Sequence, residues 1–191
     1  MKLPGHATKA GTDRYRSRFS GKIPVEHFRQ AQGLWLSSIG IGTYLGNYDA
    51  DTDQQYHEAI IRAVESGCNV IDSAVNYRLQ RSERSIGTAL KELSARGFNR
   101  DEIVVATKGG FIPYDGEPPT DARRYFEETF VQPGIAQFSD VIGGVHCMTP
   151  SACARSPCRG PVTRNATPSS RPRALSTRSS TCFATRLKSC V

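Results

Sequence analysis

Three polar side chains in this sequence have the types and spacing to move a proton together. Asp72 and Lys108 each close a short apolar run, and Tyr77 follows Asp72 by five residues. A phenol is a poor acid at neutral pH, with an ordinary pKa of about 10. A neighbouring ammonium stabilises the phenolate, and a carboxylate keeps that ammonium charged and oriented. Tyr, Lys and Asp at adjacent strand ends would therefore make a tuned acid. Reduction of a carbonyl needs such an acid, because hydride arrives at carbon while a proton arrives at oxygen. Taken singly, each residue has a plainer reading: Asp after a strand as a turn former, loop Tyr as an amphipathic surface residue, and strand-end Lys as a solvated group.

The surrounding elements decide whether the three can meet. Ser38–Tyr44 reads as a short strand ending in a glycine turn. Asp51-Thr52-Asp53 offers helix-capping chemistry. Behind it Tyr56, Ala59, Ile60, Ala63 and Val64 recur at three- and four-residue spacing, the mark of one buried helical face, and Gly67 ends the helix. Cys68–Asp72 is a continuous apolar run, as expected of a strand buried on both faces. Ser82–Ser85 opens a second helix with Ile86, Leu90 and Leu93 as its stripe, and Glu102–Lys108 is a third strand. Strand, helix, strand, helix, strand with short loops predicts an α/β protein with a parallel sheet. Right-handed crossovers then favour a barrel or an open doubly wound sheet. Asp121–Val131 is helix-compatible, and Ser139–Val145 reads as a further strand with His146 at its end.

Four segments carry a resemblance to the aldo/keto reductase superfamily: Gly40-Ile41-Gly42-Thr43-Tyr44, Val70–Arg78, Ser82-Glu83-Arg84-Ser85-Ile86-Gly87 and Val104–Lys108. Their order and spacing resemble the successive signatures of that family over residues 33–150. The resemblance implies a partial (β/α)8 TIM barrel, made of its first three to four βα units. It implies NADPH as cofactor, bound without a Rossmann fingerprint, and a small-molecule aldehyde or ketone as substrate. Tyr77 would be the proton donor, tuned by Lys108 and Asp72, and Thr43 and Tyr44 would line the nicotinamide pocket. The family's fourth catalytic member is a His after the fourth strand, and His146 is the candidate downstream of Lys108. The alternative is that His146 closes a strand of an insertion.

Composition divides the chain into three. Residues 1–32 are polar and basic and are expected to form a flexible arm; residues 33–150 hold the barrel signals. Residues 151–191 contain seven Arg, one Lys and no acidic residue, a charge of +8, whereas the first 150 residues sum to −1. That cationic stretch is expected to be an unstructured tail, because it cannot bury enough apolar surface to offset its ordering entropy. Its Arg, Ser, Pro, Cys and Ala bias suggests translation out of frame. On that reading the chain is a truncated reductase, inactive or impaired. The competing reading is a non-enzymatic half-barrel whose tail binds nucleic acid through phosphates, which Phe183, the tail's one aromatic, supports poorly. Cys68, Cys147, Cys153, Cys158, Cys182 and Cys190 lack the secreted context a disulfide framework wants, and with no Cys-x-x-Cys pair and no His after His146 a zinc site is not expected either. Asn165-Ala166-Thr167 fits a glycosylation sequon by chance. No apolar run suits a bilayer span and the N-terminus lacks a secretory signal, so no membrane association and a cytoplasmic location are expected.

Overall fold

The computed structural model describes residues 5–154. The cationic stretch, its frame and nucleic-acid readings, Cys158, Cys182, Cys190 and the sequon lie almost wholly outside the described residues.

Three parallel strands, β3 (Ile41–Gly42), β4 (Val70–Asp72) and β5 (Val104–Ala106), form one sheet in the order β3-β4-β5. Gly42 and Ala106 both pair with Asp72, one from each side. Helix α2 (Ala50–Glu65) joins β3 to β4, and α3 (Arg81–Ala95) joins β4 to β5. This alternation of parallel strands with covering helices fits part of a TIM barrel.

Local chemistry explains the two helices. Asp49 rather than Asp51 caps α2, its carboxylate accepting from the Thr52 N–H at 2.8 Å. Asp51 and Asp53 follow in the first turn, where negative charge suits the helix dipole. Ile60, Ile61 and Val64 face inward, and Gly67 stops the helix with φ +97°. Ala59 is exposed, so the buried stripe is centred one residue later than the spacing suggested. Ile86, Ala89, Leu90 and Leu93 of α3 meet the same core around Ile71. Each Ile, Leu or Val among these contributes about 1.5–3 kcal/mol on burial.

Residues 5–32 are not the flexible arm expected of residues 1–32. Helix α1 (Lys9–Ser17) is capped by Thr8, and β1 (Phe28–Ala31) and β2 (Leu34–Ser37) make an antiparallel hairpin turning at Gln32 and Gly33. The expected boundary between residues 32 and 33 therefore cuts a hairpin at its tip. The physical reason lies in a few aromatics among many charges. Tyr15 is fully buried, its hydroxyl donating to the Val64 carbonyl, and its ring lies 5.1 Å from Phe19 and 6.1 Å from Phe28. Several of the basic residues have partners. Arg14 and Arg18 meet the buried Glu102 at 2.7 and 2.9 Å, and Arg14 also meets Asp101 at 2.6 Å. Buried Asn69 then fastens the hairpin to the sheet, accepting from the Ser37 N–H at 2.9 Å and donating to the Trp35 carbonyl at 2.9 Å.

Beyond β5 the chain makes an excursion with a small core of its own. Helix α4 (Ala122–Phe126) continues as a π turn over Glu127–Val131. Strands β6 (Val141–Ile142) and β7 (His146–Cys147) pair antiparallel across Gly143-Gly144, and α5 (Pro150–Ala154) follows. The single strand expected over Ser139–Val145 is thus interrupted by a hairpin, whose three-residue connection, Gly143 to Val145, uses the positive φ that its two glycines allow. Among the described residues no helix is long and apolar enough to cross a membrane.

Candidate active site

The C-terminal ends of three adjacent strands supply the polar cluster. Asp72 is the last residue of β4, Thr43 follows β3 directly, and Lys108 lies two residues beyond β5. Thr43 is fully buried, and its hydroxyl donates to the Asp72 carbonyl at 2.9 Å. Its own carbonyl accepts from the Ser82 hydroxyl at 2.6 Å. The backbone beneath the site is therefore tied across β3, β4 and the start of α3.

Lys108 is the hub. Its ammonium donates to both Asp72 carboxylate oxygens at 2.7 Å, to the Ser73 carbonyl at 2.9 Å and to the Tyr77 hydroxyl at 3.3 Å. Burial works to lower the lysine pKa, but hydrogen bonds to Asp72 and Tyr77 outweigh it and hold the value above 10.5. The ammonium thus stays charged throughout the neutral range. The Lys108 and Asp72 side chains are 48% and 46% exposed, so solvent reaches the pair and its net stabilisation is small. An arrangement that contributes little stability yet places an ammonium on a phenol oxygen is suited to proton transfer.

Tyr77 is presented by a turn of unusual backbone. Arg78, Leu79 and Gln80 have φ of +49°, +54° and +69°, three consecutive left-handed residues without a glycine. Each costs on the order of 1–3 kcal/mol. Tyr44 stands beside Tyr77 with ring centroids 4.9 Å apart in an edge-on arrangement, and it is 63% exposed. Exposed Leu45 and Tyr48 continue this open apolar rim.

The structure brings Asp72, Tyr77, Lys108, Thr43 and Tyr44 to one end of the sheet. It does not bring His146 there. His146 pairs with Ile142 in the excursion hairpin, and its ring lies against Phe111 at 4.1 Å. Among the described residues no hydrogen bond joins it to Asp72, Tyr77 or Lys108. The strand that His146 opens, β7, is antiparallel to β6 and belongs to the excursion, not to the parallel sheet, so the placement of a fourth member at a barrel strand end is not met. Sequence reasoning also missed Arg78, Gln80 and the second task of Asp53. The Arg78 side chain is wholly buried against Asp53, and neither residue type advertises that role.

The aldo/keto reductase family model matches residues 38–132. The chain is 34% identical over 91 residues to chloroplastic pyridoxal reductase of Arabidopsis thaliana, covering 42% of this chain and 25% of that protein. It is 37% identical over 84 residues to the NADH-specific methylglyoxal reductase of Escherichia coli, covering 41% and 24% respectively. An aldo-keto reductase of Gibberella moniliformis is 26% identical over 121 residues, 61% of this chain and 34% of that one. The chain therefore spans about a quarter to a third of the length of these curated relatives.

Proposed function

We propose that this chain, whose residues 38–132 belong to the aldo/keto reductase family, carries the proton-transfer half of a carbonyl reductase site. The observation behind this reading is the Lys108 ammonium, bound at once to the Asp72 carboxylate and the Tyr77 hydroxyl. A bound nicotinamide cofactor would supply hydride to the carbonyl carbon. Tyr77 would donate its proton to the carbonyl oxygen. Lys108 would stabilise the phenolate left behind, and Asp72 would fix the direction of the ammonium.

The described residues fit the nicotinamide end of such a cofactor. Tyr44 offers an open aromatic face beside Tyr77, and buried Thr43 holds the backbone beneath it. Those named here serve that end only, which supports weak cofactor binding and impaired turnover by this chain. NADPH is the cofactor the family resemblance favours, although one similar protein is named as NADH-specific. The names of two similar proteins point to pyridoxal and methylglyoxal as first substrates in a panel of small aldehydes and ketones.

The test is oxidation of NADPH, and in parallel NADH, by the purified chain with that panel. Tyr77→Phe removes the transferable proton and keeps the ring, so turnover should fall about 10²–10⁴-fold. Equal turnover by Tyr77→Phe would rule out Tyr77 as the acid.

A further inference from the structure

The left-handed turn behind Tyr77 has no glycine to make it easy, so something must hold it. Arg78 stands at its first residue with a fully buried side chain. Its guanidinium donates to the Asn47 carbonyl at 2.9 Å and to the Asp53 carboxylate, and lies 5.0 Å from the centroid of the Tyr56 ring. Asp53 is shared: Arg81 meets its second oxygen at 2.7 Å, and the Ser85 hydroxyl donates to it at 3.3 Å. One guanidinium nitrogen of Arg78, Nη1, is buried without a protein partner. A buried pair with an unsatisfied donor is a poor source of stability, and left-handed backbone adds to its cost. Backbone strain of this sort persists only where the surroundings over-determine it, and it clusters at working sites.

What the clamp joins indicates what it is for. Asn47 belongs to the segment running from Thr43 and Tyr44 to Tyr48, the open rim of the site. Arg78 is the immediate neighbour of Tyr77. The opposite end of the turn is also tied: Gln80 donates to the Tyr114 carbonyl at 2.9 Å, and the Leu79 carbonyl accepts from the Gly116 N–H at 3.0 Å.

We propose that Arg78, anchored by Asp53, is a positioning residue: its buried guanidinium locks the left-handed turn that presents Tyr77 to Lys108 and ties that turn to the rim segment carrying Tyr44. The inference rests on the reading of Tyr77 as the acid, but its test does not require turnover.

Tyrosine labelled with ¹³C at Cζ gives one resonance per residue that ring flips leave unchanged, and Tyr77→Phe identifies the line of Tyr77. In the unaltered chain that line should be single and sharp; two or more lines for Tyr77 would already contradict a locked turn. Arg78→Met, which keeps bulk and removes the donors, should broaden the line and move it toward the position of free tyrosine. Asp53→Asn should do the same to a smaller extent, and Arg78→Lys, with charge but no fork, should not restore the wild-type line. Arg84→Gln breaks an exposed pair with Asp115 nearby and should leave the line unchanged. Should Arg78→Met fail to fold, Asp53→Asn and the unaltered chain still decide the matter. An unchanged Tyr77 line in folded Arg78→Met and Asp53→Asn overturns the proposal. Where turnover is measurable, Arg78→Met should lower kcat at least tenfold with KM for the carbonyl changed less than twofold. Loss of the positioning effect and loss of Tyr77 chemistry are thus read separately.

Discussion

The stretch from α1 to β5 and the excursion after it are built on different scales. In the first, helices, hairpin and parallel strands share one cluster of twelve buried residues running from Tyr15 to Ile103. In the second, five buried residues, among them Phe126, Phe130 and Cys147, hold together a short helix, a π turn and two-residue strands. Phe111, Phe138, Ile142, Val145 and Met148 remain exposed there. Asp72 and Tyr77 belong to the first region, and Lys108 lies only two residues beyond its last strand, so three adjacent strands fix their separation. His146 belongs to the second, where a two-residue ladder sets its place. The proposed site thus lies against the region with the larger core.

Substitutions in each region test that contrast. The largest effect is expected at Tyr15, the centre of the segment read from sequence as an arm. Tyr15→Ala should cost about 4–5 kcal/mol, lost from the cooperative unfolding of the whole first region in a denaturant titration. An unchanged midpoint would return residues 5–32 to the status of an appendage. Phe130→Ala should cost about 3 kcal/mol, the lower end for such a truncation. Its effect should be confined: amide exchange accelerates over residues 111–147 while α2 and α3 keep their protection. Acceleration across both regions would merge the two cores into one.

A smaller effect is expected from alkali. Lys108 has a raised pKa in the folded chain, so its contribution is fully present below the ordinary lysine value of 10.5 and is lost as pH climbs through the higher folded value. Asp72→Asn should flatten that loss, by less than about 1 kcal/mol because the pair is half exposed. The readout is the difference in melting temperature between variant and parent across alkaline pH, which cancels the other tyrosines and lysines. An identical pH profile in Asp72→Asn would show that the carboxylate does not hold the ammonium. The smallest effect belongs to His146→Ala, within about 0.5 kcal/mol and without influence on the Tyr77 resonance. A change in that resonance would join the excursion to the site.

The same contrast governs what could be read from the sequence. The parallel strands and both covering helices were legible because Val, Ile and Leu recur at strand and helix periods around Ile71, Ile86 and Leu93. Asp72 and Lys108 were legible as polar residues closing apolar runs, and Tyr77 by its five-residue spacing from Asp72. The N-terminal segment was not, since Tyr15, Phe19 and Phe28 are few among charged neighbours, and the acids that neutralise Arg14 and Arg18 lie more than eighty residues away at Asp101 and Glu102. The Tyr77 turn was not legible either. Left-handed backbone is signalled by glycine or asparagine, and Arg78-Leu79-Gln80 offers neither. Asp53 read as a helix-start acid, which it is, while its pairing with Arg78 depends on how the turn folds back.

Under the proposed function, Tyr77 and Lys108 form a proton donor for a carbonyl that receives hydride at this sheet end. The decisive measurement is transfer of deuterium from NADPH doubly deuterated at C4 of its nicotinamide to the carbonyl carbon of methylglyoxal or pyridoxal, read by mass spectrometry of the product. Deuterated product with the unaltered chain, and a loss of about a hundredfold or more with Tyr77→Phe, is the predicted result. Product without deuterium, or deuterium incorporated equally by Tyr77→Phe, would contradict it.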